Sequence, residues 1–231
     1  VKVVLVHGGG PEINAALAKM GVESKFVNGL RVTDAESMDV VQMVLAGKVN
    51  KSLVNLIGSI GGKAMGICGI DGRMVEAKCK DPALGQVGAI TGVNTRPIYD
   101  LLDNGYIPVI SSVACDAAGN VYNVNAASMA AQISGALGAE CLISMTDVPG
   151  IMEDPGDIST LINAVDIGGA MELMRRGVVK GGMIPKVESC MEALLCGVKK
   201  VFILDGRVPH SILLEMLTDE GSGTMMIEEL G

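Results

Sequence analysis

The chain has 231 residues, a length that suits one large domain or two small ones. Hydrophobic residues make up 49% of it and charged residues 19%, which excludes a disordered chain, and no apolar run is long enough to predict a transmembrane helix. A net charge of −8, the lack of tryptophan and the presence of only 2 phenylalanines and 3 tyrosines argue against nucleic acid or an anionic membrane as a partner.

Apolar, β-branched runs alternate with segments of helical spacing. The predicted helices cover residues 11–20, 35–60, 97–104, 126–137, 166–176, 185–196 and 209–217. The predicted strands cover residues 1–6, which we expect to be buried, and residues 62–68, 106–113, 140–146 and 200–204. Asn-Gly and Asp-Gly pairs predict hairpins within residues 25–33 and around residues 71–77. This alternation predicts an α/β fold with a mainly parallel sheet, which binds ligands at the edge where its strands end.

Six cysteines are scattered along the sequence without a CxxC pair, and there are only 2 histidines. This composition argues against a zinc site and is typical of buried or incidental thiols in a reducing compartment. We therefore expect no resident metal site and a cytoplasmic location.

Three consecutive glycines, Gly8, Gly9 and Gly10, separate the first predicted strand from a helix that has Pro11 at its first position. Glycines let the backbone approach a ligand closely, and a helix N-terminus offers unpaired N–H groups to a phosphate or carboxylate. The loop matches neither common nucleotide-binding glycine pattern, so it identifies no nucleotide by itself. An ordinary glycine-rich turn would produce the same pattern.

Lys186 and Asp147 are candidates for binding a phosphate group and its metal. Pro185 suits a helix start and would place Lys186 in the first turn, where a cation is unfavourable unless an anion is bound. Asp147 follows a predicted strand, a position at which α/β folds bind nucleotide and metal. The alternatives are a solvated surface lysine and an aspartate that caps a turn.

Arg31 lies in a short extended segment, where a lone arginine could bind a carboxylate through two hydrogen bonds. A solvated surface arginine is the alternative, and His7, at a strand end, is more typical of a structural histidine. Together these features indicate phosphoryl transfer to a small acid. They are a glycine loop, a lysine for phosphate, an aspartate at a strand end and an arginine for carboxylate.

Seven segments resemble the amino-acid-kinase family and, within it, the acetylglutamate kinases, in the family's order and over nearly the whole chain. They are residues 6–14 (VHGGGPEIN), 26–34 (FVNGLRVTD), 47–51 (GKVNK), 102–109 (LDNGYIPV), 146–151 (TDVPGI), 181–187 (GGMIPKV) and 205–210 (DGRVPH). The NGLRVT run distinguishes this branch from carbamate kinases and aspartokinases.

The resemblance implies a single domain, a three-layer αβα sandwich around an open, mainly parallel sheet. About residues 1–137 would bind N-acetyl-L-glutamate, and about residues 138–231 would bind ATP with Mg²⁺. The product would be N-acetyl-γ-glutamyl phosphate, in arginine biosynthesis. The attacking carboxylate is already ionised at neutral pH, so alignment and charge neutralisation would provide the catalysis.

The resemblance also implies roles for individual residues. The residues that match the acetylglutamate site and the loop facing the transferring phosphoryl group are Gly8, Gly9, Gly10, Leu30, Arg31 and Asn123, with Arg31 on a carboxylate. The residues that match the nucleotide site are Asp147, Gly182, Met183 and Lys186. Lys186 would neutralise charge on the transferred phosphate, so Lys186 and Gly9 are the expected catalytic residues.

The sequence departs from the family pattern in two places. The family's first strand ends in a Lys-x-Gly-Gly turn whose lysine also stabilises the transferring phosphate, whereas this sequence begins at the second strand, with Val1, so we expect an N-terminal segment to be missing. Where the family has an aspartate, residues 123–127 (NVNAA) end in Ala127. Each lost group commonly lowers the rate by ~10²–10³. We therefore expect weak or absent catalysis, and the alternative is a non-catalytic remnant that binds arginine or a nucleotide.

Residues 218–224 (TDEGSGT) resemble the arginine-inhibited branch of the family. The resemblance implies that His210, Glu220 and Gly223 lie near a pocket for L-arginine. That branch forms hexamers through an N-terminal helix that this sequence does not contain, so we expect a homodimer. The long helix predicted from Ala35 has apolar residues on more than one face, which fits a helix buried against a partner and equally fits core packing.

Overall fold

The computed structural model describes residues 1–27, 29–218 and 221–229. The chain divides into two compact units, Val1–Met129 and Ala130–Gly231. Each unit combines strands with helices and has its own cluster of buried apolar side chains.

The described elements alternate much as the sequence predicts. The helices are α1 (Gly10–Lys19), α2 (Ala35–Gln42), α3 (Asn50–Ser59), α4 (Arg96–Asp103), α5 (Ala126–Leu137), α6 (Ile167–Arg175), α7 (Met183–Leu195) and α8 (Ser211–Leu217). The strands are β1 (Leu5–His7), β2 (Phe26–Val27), β3 (Leu30–Arg31), β4 (Ala64–Cys68), β5 (Val75–Cys79), β6 (Gly88–Val93), β7 (Ile107–Ser111), β8 (Val113–Cys115), β9 (Val121–Asn123), β10 (Cys141–Thr146), β11 (Ala164–Asp166), β12 (Lys200–Asp205) and β13 (Thr224–Ile227). A π-helical segment, Met43–Val49, joins α2 to α3.

Parallel strands form one sheet of the first unit, in the order β1–β7–β4. The buried strand predicted over residues 1–6 is wrong in extent and in burial. β1 covers only Leu5–His7, and Leu5 is 37% exposed. The physical reason is the position of β1 at the edge of this sheet, because a strand with one neighbour is covered less completely than a central strand.

The hairpin predicted around residues 71–77 is wrong. β4 pairs with β7, whereas β5 pairs with β6 and β8 in a second, mixed sheet with the order β6–β5–β8–β9. The Gly69 N–H donates to the Val113 carbonyl (2.7 Å), and a Cβ at Gly69 would lie 2.5 Å from that same oxygen. This close backbone approach takes the chain from one sheet into the other, and the Asp-Gly pair forms a 3₁₀ turn in which Gly72 has a φ of 59°.

The hairpin predicted within residues 25–33 is confirmed, since β2 and β3 are antiparallel, with Phe26 opposite Arg31. Asn28 of its turn lies outside the described residues. Gly29 adopts a left-handed conformation (φ 77°), which glycine permits without strain.

The long helix predicted over residues 35–60 is confirmed as a continuous helical path, but its middle, Met43–Val49, is π-helical. Asp34 caps its start by accepting a hydrogen bond from the Ser37 N–H (2.8 Å). π-helical segments are rare and are frequent at functional sites. The segment Met43–Val49 packs closely against the glycine loop, because a Cβ at Gly9 would lie 2.9 Å from Leu45 Cδ2 and 3.0 Å from Val49 Cγ2.

The second unit contains the sheet β10–β12–β13–β11. β10 and β12 are parallel, with Thr146 opposite Asp205 at their carboxyl ends. β11 and β13 were not predicted from the sequence, because they are only three and four residues long and β13 contains two methionines rather than a β-branched run. α7 begins at Met183, two residues before the predicted start, so Pro185 is the third helical residue. A proline fits at this position because the N–H groups of the first turn have no intrahelical acceptor.

The predicted α/β class with parallel strands is confirmed, and two of the sheets in the described residues are mixed. Antiparallel pairs β5–β6, β8–β9 and β12–β13 accompany the parallel pairs. None of the helices in the described part of the chain is both long and apolar enough to cross a membrane.

Candidate active site

The glycine loop connects β1 to the N-terminus of α1. The Ile13 N–H donates to the Gly9 carbonyl (2.9 Å), and no described side chain caps the start of this helix. The N–H groups of the first turn therefore keep the capacity to bind an anion. Leu45 and Val49 of the π-helical segment crowd Gly9, so a side chain at this position would force them to shift.

A cavity of about 240 Å³ lies beside this loop, within the first unit. The predicted substrate-site residues that line it are Gly8, Gly9, Gly10, Leu30, Arg31 and Asn123. Leu45, from the π-helical segment, and Phe26 complete an apolar part of the wall. The structure thus gathers around one cavity every residue that the resemblance assigned to the acetylglutamate side, and the volume suits a ligand of amino-acid size.

Arg31 is the cation of this cavity. It is only 7% exposed, and it donates hydrogen bonds to Ser24 Oγ (2.7 Å) and to the Gly10 carbonyl (3.3 Å). Its guanidinium lies 4.7 Å above the centre of the Phe26 ring. Burial lowers the pKa of Arg31, and guanidinium nevertheless stays charged in proteins. None of these contacts supplies a negative charge, so a ligand carboxylate would be the natural counterion.

Asn123 is tied to Arg31 through a buried threonine. Its side-chain Nδ2–H donates to Thr33 Oγ1 (3.2 Å), and Thr33 Oγ1 donates to the Arg31 carbonyl (3.1 Å). Thr33 is fully buried. Neither Thr33 nor Ser24 was predicted as a site residue, although Thr33 lies inside the NGLRVT run. The signal that could have identified Thr33 is its two-residue spacing from Arg31, which puts both side chains on one face of an extended segment.

Asp147 and Lys186 form the candidate phosphate site of the second unit. Asp147 directly follows β10, and Lys186 is the fourth residue of α7. Lys186 Nζ donates to Asp147 Oδ1 at 2.6 Å, and the side chains are 31% and 77% exposed, respectively. The hydrogen bond from Lys186 lowers the pKa of Asp147 and keeps it ionised at neutral pH.

Gly182 and Met183 lie at the start of α7, before Lys186. Gly182 is exposed, and Met183 is partly buried and contacts the apolar core of the unit. The preceding Gly181 has a φ of 56°, a left-handed conformation that lets the chain turn sharply into the helix.

Asp205 and Arg207 lie beside the end of β10 and were not predicted as site residues. The Gly206 N–H donates to the Thr146 carbonyl (2.8 Å), which holds the two strand ends together. Asp205 is 6% exposed and accepts three hydrogen bonds from Arg207, through its backbone N–H and its Nε (both 2.9 Å) and its Nη2 (2.7 Å). These bonds lower the pKa of Asp205 to about 2. The DGR run carries the resemblance, so the signal for this pair was present in the sequence.

The residues proposed for an effector fall in different surroundings. His210 is exposed and precedes α8 with a φ of 62°. Gly223 is buried, and a Cβ there would overlap the Ile203 carbonyl oxygen. Glu220 lies outside the described residues. In the part of the chain that the structure describes, no three His, Cys, Asp or Glu side chains are arranged to hold a metal ion.

Comparison with known proteins identifies the relatives of this chain. Residues 1–205 match the amino acid kinase family. The acetylglutamate kinase of Thermosynechococcus vestitus is 55% identical over 228 residues, which cover 98% of this chain and 77% of that protein. The acetylglutamate kinase of Acaryochloris marina is 52% identical over 227 residues, which cover 98% of this chain and 80% of that protein.

Solved structures support the same relationship. A Streptococcus mutans protein superposes with a TM-score of 0.85 at 31% identity, covering 99% of this chain and 86% of that one. Isopentenyl phosphate kinase from T. acidophilum superposes with a TM-score of 0.64 at 16% identity over 97% of this chain and 83% of that one, a likeness of fold alone. The predicted resemblance is therefore confirmed: this chain belongs to the amino acid kinase family, and its relatives at 52–55% identity are acetylglutamate kinases.

Proposed function

We propose that this chain transfers the γ-phosphoryl group of ATP to the γ-carboxylate of N-acetyl-L-glutamate, a step of arginine biosynthesis. The observation that carries the proposal is the buried Arg31, which has no anionic partner among the described residues and lies in a cavity of amino-acid size beside a glycine loop. The acetylglutamate kinases that cover 98% of this chain support it, and they favour an enzyme over a non-catalytic binding remnant.

In the proposed complex, Arg31 binds the α-carboxylate of the substrate and leaves the γ-carboxylate for the reaction. An arginine on the reacting carboxylate would withdraw charge from the nucleophile, whereas on the other carboxylate it only orients the substrate. Asn123, held by Thr33, is the proposed second polar contact, and Leu30 the proposed apolar contact.

The proposed reaction needs no general base. A γ-carboxylate oxygen forms a bond to the γ-phosphorus of ATP, the bond from that phosphorus to the bridging oxygen breaks, and the electron pair leaves with ADP. The products are ADP and N-acetyl-γ-glutamyl phosphate. The N–H groups of Gly8–Gly10 and the ammonium of Lys186 are the proposed partners of the negative charge on the transferring phosphoryl group.

Mg²⁺ enters this proposal as part of the substrate, Mg-ATP. The donor set supports that assignment, because Asp147 is a single exposed carboxylate that already accepts a hydrogen bond from Lys186. Mg²⁺ at such sites takes most of its ligands from phosphates and water. Asp147, Gly182, Met183 and Lys186 are the proposed nucleotide contacts.

Hydroxylamine trapping tests the function directly, because hydroxylamine converts an acyl phosphate into a coloured hydroxamate. The expected result is ADP release and hydroxamate formation that both require N-acetyl-L-glutamate, with L-glutamate as the matched control that lacks only the acetyl group. ADP release that is independent of acetylglutamate, with no hydroxamate at any enzyme concentration, would contradict the proposal.

Ala127 is the proposed reason for a reduced rate. Its N–H donates to Asn125 Oδ1 (3.0 Å) in the first turn of α5, so an aspartate fits this helix start. We expect Ala127→Asp to raise kcat by about tenfold, because the substitution would restore the aspartate that the family pattern has at this position. Ala127→Asn is the control of equal size without charge. Equal kcat values for the two variants would show that a carboxylate at this position is not what the enzyme lacks.

We also propose that L-arginine binds the second unit near His210, Gly223 and Glu220, on the strength of the TDEGSGT run. An unchanged melting temperature in saturating L-arginine would contradict this.

The six free cysteines support the proposed cytoplasmic location.

The helical path from α2 to α3 is the proposed contact between two copies. Met43 and Leu56 on this path are each 60% exposed, and Ile60, directly after its end, is 80% exposed. Burial of this apolar surface against a second copy would stabilise a homodimer. A monomer mass in light scattering at assay concentration would contradict it.

A further inference from the structure

A buried polar network lies behind the glycine loop and is not used by the mechanism above. Asn50, the first residue of α3, is 1% exposed, although it is an amide in the middle of a long helical path. Its Nδ2 group lies 2.8 Å from the Val109 carbonyl and 3.1 Å from Nε2 of His7. His7 Nδ1 in turn lies 2.8 Å from the Gly8 carbonyl.

The neighbours of Asn50 fix the orientation of its amide. Lys51 Nζ donates to Asn50 Oδ1 (3.1 Å), so that atom must be the oxygen. The other atom faces the Val109 carbonyl and must be the nitrogen, because two oxygens without a proton between them would repel. One Asn50 N–H therefore goes to the Val109 carbonyl (2.8 Å), and the other goes to His7 Nε2 (3.1 Å), which is closer than the Ile67 carbonyl at 3.4 Å.

This orientation also fixes the tautomer of His7. The Gly8 carbonyl can only accept, so His7 Nδ1 must carry a proton and donate it. The Asn50 amide nitrogen can only donate, so His7 Nε2 must be unprotonated and accept. His7 is thus held as the neutral imidazole with its proton on Nδ1.

The surroundings of His7 favour the neutral ring. Ser111 lies opposite it on β7 and is an uncharged, fully buried hydroxyl. Asn50 is the residue of α3 that faces His7. Lys51, the cation of this network, donates to Asn50 Oδ1 and to the Gly66 carbonyl. Burial lowers the pKa of His7 below its usual value of 6.5, which is consistent with a ring that stays uncharged at neutral pH.

We propose that Asn50 and His7 are positioning residues that set the direction of the glycine loop by fixing the carbonyl of Gly8. The inference rests on the proposed function, in which the N–H groups of this loop meet the transferring phosphoryl group. The chain of contacts runs from Asn50 through the His7 ring to the peptide that joins Gly8 to Gly9. Rotation of that peptide would turn the Gly9 N–H away from the phosphoryl group, and a misplacement of about 1 Å can lower a rate by about 10²-fold.

Gly66 is part of the same arrangement. A Cβ at this position of β4 would overlap Asn50 Oδ1 and lie 2.7 Å from Lys51 Nζ. β4 therefore carries glycine here because Asn50 and Lys51 occupy the space that a side chain would need.

Two substitutions of His7 separate positioning from simple packing. Asparagine places its N–H group where His7 Nδ1 lies, so His7→Asn keeps a donor for the Gly8 carbonyl and loses the contact with Asn50. Glutamine reaches the place of Nε2, so His7→Gln keeps the contact with Asn50 and loses the donor to Gly8. We expect kcat to fall about tenfold or more in His7→Gln and clearly less in His7→Asn, with KM for both substrates nearly unchanged and with similar melting temperatures.

If His7 only satisfies the buried Asn50 amide, His7→Gln would be at least as active and as stable as His7→Asn, and that result would overturn the proposal. A second measurement does not depend on activity. ¹⁵N NMR of histidine-labelled protein, with His210→Gln to assign the only other histidine, should show the neutral Nδ1–H form of His7 at neutral pH. A neutral Nε2–H form or a charged ring would overturn the proposal. An inactive wild type that shows the Nδ1–H form would contradict the proposed function but would still support the contacts of His7 with Asn50 and Gly8.

Discussion

The two candidate ligand sites hold their cations in opposite ways. Arg31 of the first unit is 7% exposed and contacts a hydroxyl, a carbonyl and an aromatic ring, all uncharged. Lys186 of the second unit donates to a carboxylate at 2.6 Å, and that carboxylate, Asp147, is 77% exposed. Among the described residues, one cation is buried without an anion, and the other is paired with an exposed carboxylate.

This difference indicates what each cation can contribute. A buried guanidinium without a counterion has lost hydration, and an arriving carboxylate restores a favourable charge interaction. An exposed ion pair contributes little to stability and can exchange partners at small cost. We therefore expect Arg31 to govern the affinity for the acidic substrate and Lys186 to govern the rate, by exchanging Asp147 for the transferring phosphoryl group.

Removal of Arg31 should have the largest effect. Arg31→Ala leaves a substrate carboxylate in the cavity without its cation, and truncation of a buried charge pair costs about 2–5 kcal/mol. We expect kcat/KM for N-acetyl-L-glutamate to fall by about 10³-fold, with KM for ATP changed little. Steady-state kinetics with each substrate varied in turn measures both values.

Two variants sharpen this prediction. Arg31→Lys keeps the charge but loses the planar fork, so it should recover only part of the loss. Arg96→Ala removes an arginine of the same unit whose side chain is 80% exposed and paired with Asp100, and it should leave the kinetics unchanged. An Arg31→Ala enzyme with unchanged KM for acetylglutamate would mean that the buried cation does not meet the substrate.

Removal of Lys186, the paired cation, should affect the rate rather than the affinity. Lys186→Met keeps the length of the side chain and removes its charge, and we expect kcat to fall by about 10²-fold because a group that neutralises developing charge is lost. KM for acetylglutamate should stay within about twofold. Lys199→Met, at an exposed lysine of the same unit, is the matched control. A rise in KM for acetylglutamate with unchanged kcat would reverse the roles assigned to the two cations.

The parts of the fold that follow from local pattern could be predicted from sequence. Asn125 caps α5 as its residue type suggests, with the Ala127 and Ser128 N–H groups donating to its side chain. The hairpin of β2 and β3 and the helical path from Ala35 follow from turn chemistry and apolar spacing. Such features depend on residues close together in the chain, so a single sequence contains enough information.

Features that depend on distant partners could not be predicted. The exposure of Leu5 and the separation of β4 from β5 depend on which strands become neighbours in a sheet. Within the candidate site, Arg31 could be singled out by residue type, but its contacts with Ser24 and Gly10 form across 7 and 21 residues of sequence. The link from Asn50 to His7 spans 43 residues, and no local pattern indicates it.

The smallest expected effect concerns Asp205 of the second unit, whose carboxylate is buried, in contrast to the exposed carboxylate of Asp147. Hydrogen bonds from Arg207 lower the pKa of Asp205 from 3.8 to about 2, so the folded state favours the ionised form. This contribution to stability is complete above pH ~4 and is lost as the pH falls towards ~2, because the unfolded chain takes up the proton first. Melting curves over this range should show a steeper loss of melting temperature for the wild type than for Asp205→Asn, which cannot titrate. Asp100→Asn, in an exposed ion pair, should keep the wild-type slope; identical slopes for the wild type and Asp205→Asn would mean that the contacts of Asp205 with Arg207 do not distinguish its charged form.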